Sequence, residues 1–361
     1  MSTDHSLFTR YPALRRTLPV IKIGHFPTRV SQAESLTRDE GIEIDSLWFK
    51  HDEQCAPAYG GNKIRKLEFL LGDVLEQGSR SVFTYGGAGS NHALATSINC
   101  HEQGLLCTAI LTPEPATAAV RNTLRYHVAL GTNIKYARHY DEINAAAEEV
   151  RNEMGEDCYE IPFGGSSWVG CCGFVNAAFE LADQIESGAL PAPDVIYLAM
   201  GTTGSAVGLA LGLQIAGLPT RIEAIQVTPA SLRQDQLFAR LFAETNKELF
   251  ARDANIPILT EPFAGVTLRT DQLGKGYAIP TDEAREAATL VEAHLGIPVS
   301  LTYTGKALAA LIADARQNKL DGQNVLFWNT YNAQPYPGFD TNESWRNLPE
   351  ELHEFFDPDA E

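Results

Sequence analysis

Long apolar runs are missing from this chain. No stretch of about 18 consecutive apolar residues occurs, so no segment is read as spanning a membrane. The opening residues, Met1 to Arg16, are polar with scattered charges and lack the apolar centre of a secretory leader. Positive charge is scarce as well. Twenty-eight Lys and Arg stand against 46 Asp and Glu, a net charge of −18. Such a field leaves no basic face for nucleic acid, and no nucleic-acid partner is expected. Six cysteines are present (Cys55, Cys100, Cys107, Cys158, Cys171, Cys172), but none forms a Cys-x-x-Cys pair. Cys171 and Cys172 are adjacent inside a helical pattern and read as packed thiols, so no metal site and no disulfide is expected. These features describe a cytoplasmic protein in a reducing compartment. Repeats, low-complexity segments and a Pro/Gly/Ser-rich linker are absent too, so composition alone sets no domain boundary.

The chain has 361 residues and a mass of 39.4 kDa, with 44% hydrophobic and 20% charged residues. That is enough for a sizeable core in one large or two ordinary domains. Strand-like runs alternate with helical patterns, which implies βαβ units and a mostly parallel sheet. Strands are read at 81–85, 105–111, 133–136, 158–161, 195–200, 222–227 and 325–328. Helices are read at 91–103, 117–130, 141–154, from the 201–205 loop to about 215, and at 231–252, 282–295 and 306–318. The acidic stretch Glu350–Glu361 reads as a fraying tail.

Gly60-Gly61-Asn62-Lys63-Ile64-Arg65-Lys66, running into the apolar pattern Leu67-Glu68-Phe69-Leu70-Leu71, is the most informative segment. It places three cations in the first turn of a helix, where the macrodipole favours anions. A Walker phosphate loop is excluded, because Gly, four residues, then Gly-Lys-Ser/Thr is not present. Two readings remain open here. Lys63 could be a reactive amine whose pKa is lowered by partial burial beside other cations, suited to forming a Schiff base. The cluster could instead be a solvated basic helix end. A second segment, Gly201-Thr202-Thr203-Gly204-Ser205, joins a strand to a helix and could turn its N–H groups and hydroxyls toward a phosphate. Many strand-to-helix turns have this composition for steric reasons alone.

Four segments in order carry a family resemblance: the Gly60–Lys66 run with Leu67-Glu68, Gly86-Gly87-Ala88-Gly89-Ser90-Asn91-His92, Gly276-Tyr277-Ala278-Ile279-Pro280-Thr281, and Tyr303-Thr304-Gly305-Lys306-Ala307-Leu308. From about Pro27 to Tyr336 the chain resembles the pyridoxal-phosphate enzymes of the D-cysteine desulfhydrase and 1-aminocyclopropane-1-carboxylate deaminase family. The resemblance implies an α/β, tryptophan-synthase-β-like fold (fold type II) of two domains with mostly parallel sheets. Residues 1–64 with 174–361 would form the larger, cofactor-binding domain and 65–173 the smaller, with the cofactor in the cleft between them. It implies pyridoxal 5'-phosphate as cofactor, a small amino acid as substrate and a homodimer. Lys63 would carry the cofactor as a Schiff base. Asn91 would bond its phenolic oxygen, and Gly201, Thr202, Thr203, Gly204 and Ser205 its phosphate. Ser90 would face the substrate, and Tyr277 and Tyr303 would line the substrate site as proton donors or contacts. Thr330 would meet the pyridine nitrogen. By residue type alone, Ser90 and Asn91 read as helix caps, and the two tyrosines as core residues with satisfied hydroxyls.

The chain departs from the family at two places. Gly89 stands where relatives carry Gln, and is expected to open space beside Ser90; Leu94-Ala95-Thr96 likewise alters the pocket wall. Tyr331-Asn332 replace two glycines and are expected to close space near the cofactor ring. A threonine at position 330 leaves the ring nitrogen largely unprotonated, so carbanion charge is held only briefly, which suits departure of a β leaving group. The implied activity is therefore β-elimination from D-cysteine or a related β-substituted amino acid, giving a 2-oxo acid and ammonia. The alternatives are ring-opening deamination of 1-aminocyclopropane-1-carboxylate and, from another class, a catalytically idle binding or regulatory protein.

Overall fold

The computed structural model describes residues 5–39, 44–155, 157–334 and 344–356. The N-terminal Met1–Asp4, Tyr336 of the family resemblance, and residues 357–361 of the expected tail lie outside them. Ten strands lie among the described residues: β1 (Val30–Gln32), β2 (Ser46–His51), β3 (Ser81–Gly87), β4 (Leu106–Thr112), β5 (Asn133–Tyr136), β6 (Cys158–Ile161), β7 (Val195–Met200), β8 (Arg221–Gln226), β9 (Val266–Arg269) and β10 (Asn324–Asn329). The chain divides into two compact units. The first is Met1–Leu18, Gly24–Lys66 and Ser166–Gln334; the second is Pro19–Ile23, Leu67–Gly165 and Pro335–Glu361.

The first unit is built on a six-stranded sheet in the order β1-β2-β10-β7-β8-β9. All neighbours are parallel except the β1–β2 pair. Central strands are near-continuous apolar runs, as buried parallel strands require: all six residues of β7 and five of β10 are buried. On one face, Phe49, Tyr197 and Phe327 pack against the helix Thr304–Arg316 through Ala307, Leu308 and Leu311. Two long helices, Trp168–Glu186 and Gly204–Ala216, are apolar almost all round and buried along most of their length. They approach closely because of two glycines. A Cβ at Gly208 would lie 2.3 Å from the Cys171 carbonyl oxygen, and one at Gly212 would lie 2.5 Å from the Ala178 methyl. Among the described residues, no helix is long and apolar enough to cross a membrane.

The second unit holds a four-stranded, all-parallel sheet in the order β5-β4-β3-β6. Its core on one face gathers Ala88, Ala93, Leu111, Val120 and Leu124. The C-terminal chain joins that core: Leu348, Leu352 and Phe355 are buried in it, and Trp345 packs alongside. Glu350–Phe356 is thus a short 3-10 helix pinned by apolar contacts rather than a frayed end. The α/β architecture, the mostly parallel sheets and the seven expected strands are all present. β1, β2 and β9 are additional to those seven.

Candidate active site

The start of the helix Asn62–Glu76 is set by its two preceding glycines. A Cβ at Gly60 would lie 2.0 Å from the Glu53 carbonyl oxygen, and Gly61 has φ +90° with the Thr330 carbonyl 2.7 Å from where a Cβ would sit. Only glycine tolerates such approach and such a φ. The turn is fastened at both sides: the Gly61 N–H donates to the Asp52 carbonyl at 2.7 Å and the Asn62 N–H to the Thr330 carbonyl at 3.1 Å. Asn332 contributes as well, accepting the Gly60 N–H on Oδ1 at 2.6 Å. The side chain expected to crowd the ring region therefore holds the turn before Lys63.

The three cations separate into two kinds. Arg65 is buried and fully answered. Its Nε and one terminal nitrogen donate to the two Asp52 oxygens at 2.7 Å each, and its other terminal nitrogen donates to Glu180 Oε2 at 2.8 Å. Lys50 pairs with the same Glu180, and the Trp328 indole donates to Asp52 Oδ2 at 2.7 Å. Two buried cations and two buried carboxylates thus balance. Lys63 and Lys66 are of the other kind, buried or half-buried amines with lowered pKa values. Lys63 is half-buried, and its Nζ donates to Asn62 Oδ1 at 3.0 Å. Desolvation, and next the charge of Lys66, lower its pKa to about 7. A large fraction of the amine is then neutral near pH 7 and nucleophilic, the state needed to attack a carbonyl. Lys66 is buried, with Nζ 3.5 Å from Ser166 Oγ. Desolvation lowers its pKa to about 8, so it still carries charge near pH 7.

Lys66 points at the Gly201–Ser205 loop, which ends β7 and opens the helix Gly204–Ala216. Ser166 Oγ donates to Thr202 Oγ1 at 2.9 Å and accepts the Gly204 N–H at 3.2 Å. A Cβ at Gly204 would meet Ser166 Oγ at 2.7 Å and Lys66 Nζ at 2.9 Å, so glycine there keeps the amine against the helix N-terminus. Asn62 Nδ2 donates to Ser205 Oγ at 3.0 Å, which joins the lysine turn to the same loop. Thr203 has φ +64°, an outlier for a β-branched residue and a sign of stored strain. An ammonium, the Ser166 and Thr202 hydroxyls and a helix N-terminus meet here, and their chemistry fits a phosphate.

Tyr303 also lies at this loop: a Cβ at Gly201 would touch its ring at 3.6 Å. The Tyr277 and Tyr303 hydroxyls are 2.5 Å apart, with the rings edge to face at 6.0 Å. Thr330 follows β10 and is largely buried, next to the lysine turn whose Asn62 N–H its carbonyl accepts. Lys63, Gly201, Thr202, Thr203, Gly204, Ser205, Tyr303, Tyr277 and Thr330 therefore share one end of the first unit. Ser90 and Asn91 belong to the second unit. Ser90 caps the helix Asn91–Glu102 by accepting the Ala93 N–H at 3.2 Å, the role its residue type suggests. The space expected beside Gly89 does not exist. A Cβ there would meet Val120 Cγ2 at 2.7 Å and Glu114 Oε2 at 2.8 Å, and the Gly89 N–H already donates to that carboxylate at 3.0 Å.

The amine of Lys63 and the loop that suits a phosphate lie together in the first unit, and comparison with known proteins gives the class of enzyme. The chain belongs to the family of pyridoxal-phosphate dependent enzymes, whose model matches residues 21–330. Its cofactor is pyridoxal 5'-phosphate. Among solved structures it is similar to an ACC deaminase homologue, at 26% identity and TM-score 0.75, covering 96% of this chain and 100% of that one. It shares its fold with the processed form of threonine deaminase isoform 2 from Solanum lycopersicum (16% identity, TM-score 0.61, 93% and 86% coverage). The same fold occurs in a fungal L-serine ammonia-lyase from Rhizomucor miehei (19%, 0.58, 86% and 94%). The sequence reading missed Asn62, Lys66 and Ser166 as site residues. The surplus of cations at a helix start was the signal for Lys66; nothing local marked Ser166, which is 100 residues away.

Proposed function

We propose that this protein is a β-eliminating lyase or deaminase that converts D-cysteine or a related β-substituted small amino acid, with water, to a 2-oxo acid, ammonia and the released β substituent. The observation that carries the proposal is Lys63, an amine with its pKa lowered to about 7, hydrogen-bonded by Asn62 and tied through it to the Ser205 end of the phosphate receptor. When bound, the cofactor acts as the electron sink for the bond broken at the substrate α-carbon. Lys63 Nζ would hold the cofactor and would be the base that takes the substrate's α proton. Lys66, Ser166, Thr202 and Ser205, with the N-terminus of the helix Gly204–Ala216, would hold its phosphate. The Tyr277–Tyr303 hydroxyl pair holds a proton that can be given to the substrate or its leaving group. Thr330 would meet the pyridine nitrogen, and Ser90 and Asn91 would take the substrate and phenolic-oxygen roles implied by the resemblance. The likeness to an ACC deaminase homologue favours a second reading, deamination of 1-aminocyclopropane-1-carboxylate.

The test is a panel of D- and L-cysteine, β-chloro-D-alanine, D-serine, L-cysteate and 1-aminocyclopropane-1-carboxylate, assayed for 2-oxo acid and ammonia. Pyruvate from a β-substituted D-amino acid supports elimination. 2-Oxobutyrate from the cyclopropane substrate supports the second reading. Lys63→Ala should end both activities and the borohydride-reducible link to the cofactor. Retention of that link in Lys63→Ala would assign another lysine and refute the proposal.

A further inference from the structure

Lys306 stands outside the chemistry above, and its surroundings are unusual for a cation. It lies in the first turn of the helix Thr304–Arg316, three residues after Tyr303, and is fully buried. Its Nζ donates to two backbone carbonyls, Leu273 at 2.8 Å and Gly276 at 3.1 Å. Among the described residues no carboxylate faces it. A buried ammonium paired only with neutral carbonyls is a poor stabilising device, since its desolvation is only partly repaid. Burial does lower its pKa. A local rule broken in this way points to a functional demand.

The carbonyls it holds belong to the loop that presents Tyr277. That loop is contorted, with φ +64° at Gly274, +150° at Gly276 and +59° at Ala278. The last is unfavourable for a residue with a Cβ, so the surroundings must over-determine it. Tyr277 sits between the clamped carbonyl of Gly276 and the strained Ala278, and its hydroxyl lies 2.5 Å from that of Tyr303. The helix that carries Lys306 begins just after Tyr303, and its first turn is fixed by the Ser300 N–H donating to Thr304 Oγ1 at 2.8 Å. One side chain therefore ties the Tyr277 loop to the helix start that sets Tyr303.

We propose that Lys306 is a positioning residue, whose ammonium clamps the Leu273 and Gly276 carbonyls so that the Tyr277 hydroxyl meets that of Tyr303. The effect on turnover rests on the tyrosine roles proposed above; the clamp itself rests only on geometry. Lys306→Met keeps the apolar stem and removes the donors. Two measurements on the cofactor-loaded protein test it. The first is amide hydrogen exchange: Lys306→Met should speed exchange of the 273–278 segment at least ~10-fold while central β7 and β10 stay protected. The second is a double-mutant cycle with Tyr277→Phe on the best substrate of the panel. If Lys306 acts through Tyr277, each single variant lowers kcat by roughly 10- to 100-fold, and the double variant stays within about threefold of the worse single. Exchange that is unchanged in the loop, or raised throughout the unit, overturns the clamp. Multiplying kcat losses overturn the link to Tyr277. A freed loop with full activity in Tyr277→Phe upholds the clamp and rejects instead the tyrosine's part in the proposed reaction.

Discussion

Glu180→Gln should be among the most damaging single substitutions in the first unit, although it lies outside the proposed chemistry. Glu180 accepts from Lys50, from two nitrogens of Arg65, and from the Thr28 N–H at 2.9 Å. With Asp52 it balances two buried cations, and those two charges hold its carboxyl well below the usual range. The amide keeps the shape but leaves one positive charge unanswered in a dry interior. Breaking a buried pair from one side costs about 3–5 kcal/mol. Lys50, already lowered by desolvation, is the group that can yield by losing its proton. Its folded pKa then lies below its unfolded one, so the unfolded state binds more protons and stability rises with pH. The loss should accordingly shrink between that depressed value and the ordinary lysine range. In the native protein the sign is the same but the group is the carboxylate: the Glu180 contribution is full above the unfolded carboxylate pKa and fades as pH falls through the lower folded value. Guanidinium unfolding at neutral and alkaline pH, followed by tryptophan emission, measures both effects. Lys50→Met/Glu180→Gln should be less damaged than Glu180→Gln alone, because it removes a pair and not a partner. A loss for Glu180→Gln below about 1 kcal/mol, the worth of an exposed ion pair, or strictly additive losses in the double variant, would refute the balanced-quartet account.

In the cofactor-free protein, labelling of Lys63 by an amine reagent should rise with pH around a midpoint of about 7. Lys66→Met should move that midpoint upward, since a like charge is removed, and should weaken cofactor binding; an unmoved midpoint would show that the two amines do not interact. Thr330→Glu should keep the pyridine nitrogen protonated and favour racemisation over elimination, read as a changed product ratio, and an unchanged ratio would place Thr330 away from the ring. Gly89→Gln should lower the melting temperature by colliding with Val120 and Glu114, whereas a neutral effect would mean the loop repacks at no cost.

The parts of this molecule that were readable in advance are those written locally. The periodic runs gave seven strands, and the segment at 60–66 marked the lysine because cations at a helix start contradict the dipole. Local pattern did not tell Arg65 from Lys63 and Lys66. Arg65 finds its carboxylates at positions 52 and 180, and no spacing rule reaches that far. β2 escaped because its inward Lys50 and His51 look like surface residues. They are buried only because Glu180 and Glu53 answer them. Gly89 was misread for a similar reason: a missing side chain was taken as empty volume, while Glu114 and Val120 fill it. The C-terminal Leu348, Leu352 and Phe355 were hidden among acidic residues, which drew the reading toward solvent.

The position of β10 has a consequence for biosynthesis. Among the described residues it is the last strand made, yet it lies between β2 and β7 in the six-stranded sheet. Until residue 329 has left the ribosome, β2 has no parallel neighbour, and β7 lacks one of its own. The sheet of the second unit comes from 81–161 without interruption and can close while translation continues. Thr330, whose carbonyl fixes Asn62 beside Lys63, arrives directly after β10. A nascent chain, or one truncated before this strand, carries the lysine and the phosphate loop in its sequence but has no finished turn to present the amine. With the site proposed above, capture of the cofactor would wait until residue 330 has been made and β10 is in place.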